Sequence, residues 1–322
     1  MNVEKGKEIP IFFAVDDGYC PFLAVALQSL TDNASEENTY CIRVLYTDIS
    51  PENQREILQY EKSNVRITFD NLSSHIEKIA DKLYTRDYYS KTTYFRLFIP
   101  NLYPQYDKAL YLDSDIVILD DIAELYHMAL GDALVGAAPD DVIQHNEAFR
   151  EYAEKVVGVA DYRGYFNAGI LLMNLRELRR FRFEEKFLYS LEKVRFTVAQ
   201  DQDYLNRLCR GRVKMFGKVW NRMPIPDAGI RNEDVKLVHY NLAFKPWHFE
   251  NILYQDFFWR YARRTKYFDK IQKIREDYTE TERFRDNQKH EMLIPQAKTE
   301  ADGVGMTEIV AVRFDRWTDG KW

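Results

Sequence analysis

The sequence predicts an α/β protein with a mainly parallel, Rossmann-like central sheet and a C-terminal helical appendage. Three observations point there. Short apolar runs alternate with segments of helical length through the first half of the chain, the pattern of strands joined by crossover helices. Several of those runs end in carboxylate or polar residues, as expected where ligands sit beyond the carboxyl ends of strands. Apolar residues make up 46% of the 322-residue chain, which allows a sizeable core. At roughly 100–200 residues per domain, one large domain with an addition is expected. We read residues 1–250 as the main domain and 251–322 as appendage and tail.

The elements follow in order. Residues 9–15 read as a strand, and 21–30 as a helix with Pro21 in its first turn. Strands are expected at 41–46 and 65–69, with a helix at 51–61 between them. A helical stretch at 92–99 precedes strands at 108–112, 116–119 and 134–138. A turn over 164–167 leads into a strand at 169–173, then a helix at 201–208 and a late strand at 235–239. Beyond residue 251, aromatic and basic residues recur at helical spacing, which predicts one or two helices on the main domain. A poorly structured tail is expected from about residue 290.

Composition excludes several classes. A net charge of −6 with interspersed signs leaves no basic stripe, so nucleic acid is not expected as a partner. Cys20, Cys41 and Cys209 form no CxxC pair or metal spacing and read as buried thiols of a reducing, cytoplasmic compartment. Residues 1–10 lack the apolar run of a signal peptide, and no window of about 18 apolar residues exists to span a membrane. Arg260, Arg263, Arg264 and Lys266 suit either a solvated helix face or a peripheral contact with the inner face of a membrane. The 22 Tyr and 20 Phe serve either stacking on rings or packing.

One constellation carries chemistry. Asp113-Ser114-Asp115 stands between two apolar strands, so both carboxylates reach one hard cation, manganese or magnesium, that still has room for diphosphate oxygens. Asp201-Gln202-Asp203 has the same spacing without flanking strands. His239, at the end of the late strand, can complete the metal's shell, and Lys245 can meet a diphosphate as a point charge.

These residues resemble the retaining glycosyltransferases of family 8, which include bacterial lipopolysaccharide galactosyltransferases and glycogenin. Six blocks in the family's order carry the resemblance, over residues 9–248: Phe13-Ala14-Val15-Asp16-Asp17, Tyr94-Phe95-Arg96-Leu97, Tyr111-Leu112-Asp113-Ser114-Asp115, Tyr165-Phe166-Asn167-Ala168-Gly169, Gln200-Asp201-Gln202-Asp203-Tyr204-Leu205-Asn206, and His239-Tyr240 with Lys245-Pro246-Trp247. The resemblance implies a GT-A nucleotide-sugar fold and a manganese-dependent hexosyltransferase. Such an enzyme moves glucose or galactose from UDP-glucose or UDP-galactose to a saccharide or glycoconjugate acceptor, as in cell-surface polysaccharide or lipopolysaccharide biosynthesis. It assigns Asp113, Asp115 and His239 to the metal, with Ser114 among the donor contacts, and Asp16 to the uracil. It assigns Arg96 and Lys245 to the donor's sugar and phosphates. Asn167, Asp201 and Gln202 would grip the donor sugar at the reacting face, and Asp140 an acceptor or donor hydroxyl. Gly18 replaces a frequent Asn, and Asn241-Leu242 replaces a small pair after His-Tyr.

The implied chemistry is loss of a diphosphate through an oxocarbenium-like transition state, stabilised by a carboxylate such as Asp201. Gln202 has a neutral amide oxygen, so attack on the leaving group's face is favoured over a covalent intermediate. Other readings are a self-glycosylating primer, an inactive nucleotide-sugar-binding relic, and a magnesium phosphohydrolase. The last needs a small hydroxyl residue two positions past Asp115, where Val117 stands.

Overall fold

The computed structural model describes residues 8–78, 91–227, 229–241 and 243–303. Leu242 and the segment beyond residue 303 lie outside the described residues. The strands are β1 (Glu8–Ala14), β2 (Thr39–Tyr46), β3 (Val65–Asn71), β4 (Ala109–Leu112), β5 (Ile116–Ile118), β6 (Val135–Pro139), β7 (Phe166–Met173), β8 (Val213–Met215) and β9 (Leu237–His239). Seven of them form one sheet in the order β3-β2-β1-β4-β7-β6-β8, and β5 and β9 form a separate antiparallel ribbon. Within the large sheet only β7 runs against its neighbours. The expected mainly parallel sheet is therefore present.

Both faces of this sheet are covered, which is why its central strands read as continuous apolar runs. Alternation sends successive side chains to opposite faces. Ile11 and Phe13 of β1 join the core beneath the helix Cys20–Asn33, while Phe12 joins the opposite core with Phe95 and Phe98. Because β1, β4 and β6 point the same way, Asp16, Asp113 and Asp140, which follow them, emerge at one edge of the sheet.

At that edge β7 is irregular. Ala137 pairs with Leu171 and Pro139 with Phe166, so β6 advances 139 − 137 = 2 residues while β7 advances 171 − 166 = 5. A bulge of this kind bends the strand and re-aims side chains, and here it includes Asn167 and Gly169. The turn expected at 164–167 is thus partly strand. The helical stretch expected at 92–99 is a 3-10 helix, Lys91–Leu97, followed by the short helix Ile99–Leu102. Strand β8 escaped the sequence reading because three residues, Val213-Lys214-Met215, are too few for their alternation to register, and no member is buried.

The C-terminal portion corrects one expectation. Helices Gln255–Ala262 and Phe268–Asp277 put Phe258, Trp259, Tyr261, Ala262 and Ile271 into the same apolar cluster as β1, and Trp247 stacks on Phe22 at 3.8 Å. Order does not stop near residue 290. A helix runs Glu280–Asp302, opened by a capping box between Thr279 and Glu282, and buries Leu293, Ala297 and Ala301. Three small or apolar residues at four-residue spacing make a stripe too narrow to stand out in so polar a segment. Leu293 and Ala297 pack into the core that contains Phe149 of the helix Glu147–Tyr152, and Lys298 pairs with Glu151 at 3.0 Å.

Candidate active site

The sheet edge opens into a cavity of about 170 Å³ whose walls include Asp16, Arg96, Asp113, Ser114, Asp115, Asp140, Asn167, Asp201, Gln202, His239 and Lys245. Every candidate residue from the sequence is therefore in one place. Asp16 caps the short 3-10 helix Asp17–Tyr19, accepting from Tyr19 N at 3.1 Å, and faces the cavity. Its neighbour Asp17 turns away and accepts from Ser50 N and Asn53 Nδ2, both at 2.7 Å.

Asp113 and Asp115 occupy the short crossing between the large sheet and the ribbon. Pairing of Ile116 with His239 sets the histidine beside them, and Tyr240 N donates to the Asp115 carbonyl at 2.9 Å. The ligand atoms of Asp113, Asp115 and His239 all lie within 4.8 Å of one another. His239 Nε2 lies 3.3 Å from Asp115 Oδ1 and 3.7 Å from Asp113 Oδ2. Burial alone would raise the Asp115 carboxyl, but the Lys245 ammonium overcomes it and holds it well below the usual carboxylate range. Lys245 grips Asp115 Oδ2 and the Tyr240 carbonyl, whereas the buried Asp115 Oδ1 has no hydrogen-bond partner. An orphaned buried carboxylate oxygen beside an imidazole nitrogen and a second carboxylate is the donor set a divalent cation such as manganese takes. The residues fit the ion.

Arg96 organises the other carboxylates. Its guanidinium is 3.0 Å from Asp113 Oδ1 and 3.1 Å from Asp201 Oδ2, bonds the Thr93 and Ala168 carbonyls, and lies 4.4 Å from the centre of the Tyr111 ring. Tyr111 adds a hydroxyl to Asp113 Oδ1 at 2.9 Å. Burial pushes the Asp201 carboxyl up to about 6 against the pull of Arg96. Burial likewise raises Asp140, opposed first by its hydrogen bond from Asn167. Asp140 also caps its following helix, accepting from Val142 and Ile143. Asp203, on the far side of the helix Asp201–Cys209, accepts from Tyr165 at 2.6 Å and Tyr152 at 2.8 Å, and burial pushes it up to about 7.

Three residues in or behind the site had no signal that assigned them. Gly169 appeared only as part of a block, yet a Cβ there would stand 2.2 Å from His239 Cε1 and 2.8 Å from Asp113 Oδ2. Asn221 belongs to no motif, and its Oδ1 lies 3.0 Å from His239 Nδ1. Leu293, in the segment expected to be tail, reaches the cavity wall.

Comparison with known proteins identifies the family and the fold. A family model described as Glycosyl transferase family 8 matches residues 10–251. Lipopolysaccharide 1,2-glucosyltransferase of Escherichia coli (strain K12) is 27% identical over 271 residues, spanning 77% of this chain and 75% of that protein. General stress protein A of Bacillus subtilis (strain 168) is 25% identical, spanning 82% and 96%. The solved structure of the galactosyltransferase LgtC with donor and acceptor sugar analogs matches with a TM-score of 0.66 at 30% identity, over 80% of this chain and 96% of that one. The bifunctional glycosyltransferase WbbM matches with a TM-score of 0.75 at 25% identity, over 86% of this chain and 53% of that one. Among the described residues no helix is long and apolar enough to cross a membrane. With the family model covering most of the chain and the GT-A sheet carrying a cavity lined by the family's blocks, the chain belongs to glycosyltransferase family 8 and is a glycosyltransferase.

Proposed function

We propose that the chain is a retaining hexosyltransferase that moves glucose or galactose from a UDP-sugar to a hydroxyl of a saccharide or glycoconjugate acceptor, in the building of cell-surface polysaccharide or lipopolysaccharide. The observation that carries the reading is the buried, unpartnered Asp115 Oδ1 facing His239 Nε2 and Asp113 at the floor of the cavity. The relatives named for lipopolysaccharide glucosyl transfer and for galactosyl transfer support the hexose and the acceptor class. Asp113, Asp115 and His239 would hold manganese, with magnesium as the alternative. When bound, the ion offsets the charge that develops on the departing diphosphate.

The chain's own residues then divide the work. Asp16 lies where it can meet the uracil. Lys245 pairs with Asp115 and lines the cavity beside it, so its charge is available to the phosphates. Arg96 holds Asp113 and Asp201 in register, which keeps the Asp201 carboxylate beside the sugar-binding side of the cavity. There it stabilises positive charge on the anomeric carbon. Gln202 Oε1 already accepts from Ala168 N at 2.9 Å and from Asn167 Nδ2 at 3.3 Å. With both lone-pair directions engaged, it orients the sugar and does not attack it. Same-face attack follows, with a diphosphate oxygen receiving the acceptor's proton. The test is a donor-hydrolysis screen over several UDP-sugars, with and without manganese. Turnover of UDP-glucose or UDP-galactose only with the metal is expected, and metal-independent turnover would refute the proposal.

A further inference from the structure

Behind the putting together of metal and sugar sites lies a chain of side-chain amides whose polarity follows from two backbone N–H groups. Gly169 N donates to Asn167 Oδ1 at 3.0 Å, so that atom is the carbonyl oxygen and Asn167 Nδ2 is the donor. Asn221 meets the same oxygen at 2.9 Å and must do so with its own NH2. Its carbonyl Oδ1 is then left facing His239 Nδ1 at 3.0 Å. A carbonyl oxygen only accepts, so Nδ1 carries a proton, and in the neutral ring Nε2 is a bare lone pair. That lone pair points at Asp115 Oδ1 and Asp113 Oδ2, 3.3 and 3.7 Å away.

On the other side, Ala168 N fixes Gln202 Oε1 as an acceptor at 2.9 Å. Gln202 Nε2 and Asn167 Nδ2 both donate to Asp140 Oδ2 at 3.1 Å. One directed chain therefore runs from His239 through Asn221 and Asn167 to Asp140 and Gln202. Asn221 is 1% exposed and is not among the residues lining the cavity, so it acts only through its neighbours.

We infer that Asn221 is a positioning residue: it holds His239 in the Nδ1–H tautomer that offers Nε2 to a cation, and it couples that site to the orientation of Asn167 and Gln202. A hydrogen-bond acceptor on the second nitrogen of a metal-binding histidine sets both tautomer and ring direction. Only an amide suits this position. Aspartate would turn two acceptors toward each other at Asn167, and an apolar side chain would leave Nδ1 without an acceptor. The inference rests on the manganese-dependent reading for the identity of the cation alone.

The test begins with ¹⁵N NMR of the metal-free full chain, the His239 signal being assigned by its loss in His239→Gln. A protonated, pyrrole-type Nδ1 is expected. In Asn221→Leu the tautomers should mix, and manganese affinity measured by calorimetry should fall about 10–100-fold. In Asn221→Asp, which keeps an acceptor for Nδ1, the tautomer and manganese affinity should persist while kcat falls about tenfold or more through Asn167. A bare, unprotonated Nδ1 in the wild type would overturn the inference, whether or not Asn221→Leu folds. So would wild-type turnover in Asn221→Asp, or unchanged tautomer and affinity in a folded Asn221→Leu. A wild type that keeps the Nδ1–H tautomer but binds no manganese would uphold the tautomer assignment and remove the metal-dependent function instead.

Discussion

Replacing Gly169 by alanine probes the site through one added methyl group. The new Cβ would stand 2.2 Å from His239 Cε1, 3.0 Å from His239 Nδ1 and 2.8 Å from Asp113 Oδ2. Ordinary contact begins near 3.4 Å, so the ring or the strand must move by about 3.4 − 2.2 = 1.2 Å. His239 is 2% exposed and tethered through Asn221, so the ring moves only by giving up that hydrogen bond. Metal–ligand distances tolerate only about 0.2 Å, so displacement on this scale takes the imidazole out of the coordination shell. Overpacking of this kind costs about 1–3 kcal/mol of stability. Manganese affinity should fall by about 100-fold or more, the upper end of what losing a ligand's support alone costs. Calorimetric titration of the metal-free protein with manganese measures it directly, and a thermal melt reports the stability. Gly164→Ala is the control, because a Cβ there meets nothing within 4 Å. Wild-type manganese affinity in a folded Gly169→Ala protein would refute the assignment of His239 to the metal.

The remaining predictions concern catalysis, pH and the C-terminal helix. Asp113→Asn or Asp115→Asn should abolish metal-dependent hydrolysis and transfer of the donor while leaving a folded protein, and near-normal turnover in either would sink the metal site. Gln202→Ala should slow transfer and Asp201→Asn should slow it more, with the product anomer unchanged by NMR; a glycosyl adduct trapped on Asp201 would replace same-face attack by double displacement. Asp203 is raised to about 7 in the folded protein, above about 3.9 when unfolded. Between those values the native state binds more protons, so stability falls as pH rises across that window. Asp203→Asn should flatten the slope of denaturation midpoint against pH from 5 to 7, and an unaltered slope would show that Asp203 titrates elsewhere. Asp201, raised to about 6, adds a residual slope of the same sign. Deleting residues from Glu291 onward should lower the melting temperature and activity together, because it strips Leu293 and Ala297 from the helix Glu147–Tyr152 and from the cavity wall; a fully active product would show that the helix is dispensable.

Much of this site was legible in the sequence because its parts follow strand ends. A continuous apolar run such as Ile11–Phe12–Phe13 identifies a strand covered on both faces, and the polar residue just beyond it is then at the sheet's edge. Asp16, Asp113, Asp140 and His239 could be nominated on that ground, and the resemblance to family 8 extended it to Asp201 and Gln202. Three things belonged to the tertiary structure alone. The resemblance singled out Asp16, but what holds Asp17 out of the cavity is Ser50 and Asn53, more than thirty residues away, which claim its carboxylate. The helix through Asp302 is held by a surface that the Glu147–Tyr152 helix supplies, since its own stripe of Leu293, Ala297 and Ala301 is too narrow to declare itself. Asn221 sits in a loop with no periodicity, and its importance arises only when β9 carries His239 next to it. Local sequence encodes which residues can be buried or exposed, because that depends on each side chain and its period. Which polar atom meets which is decided by long-range packing, because a hydrogen bond needs both partners placed to within a few tenths of an ångström.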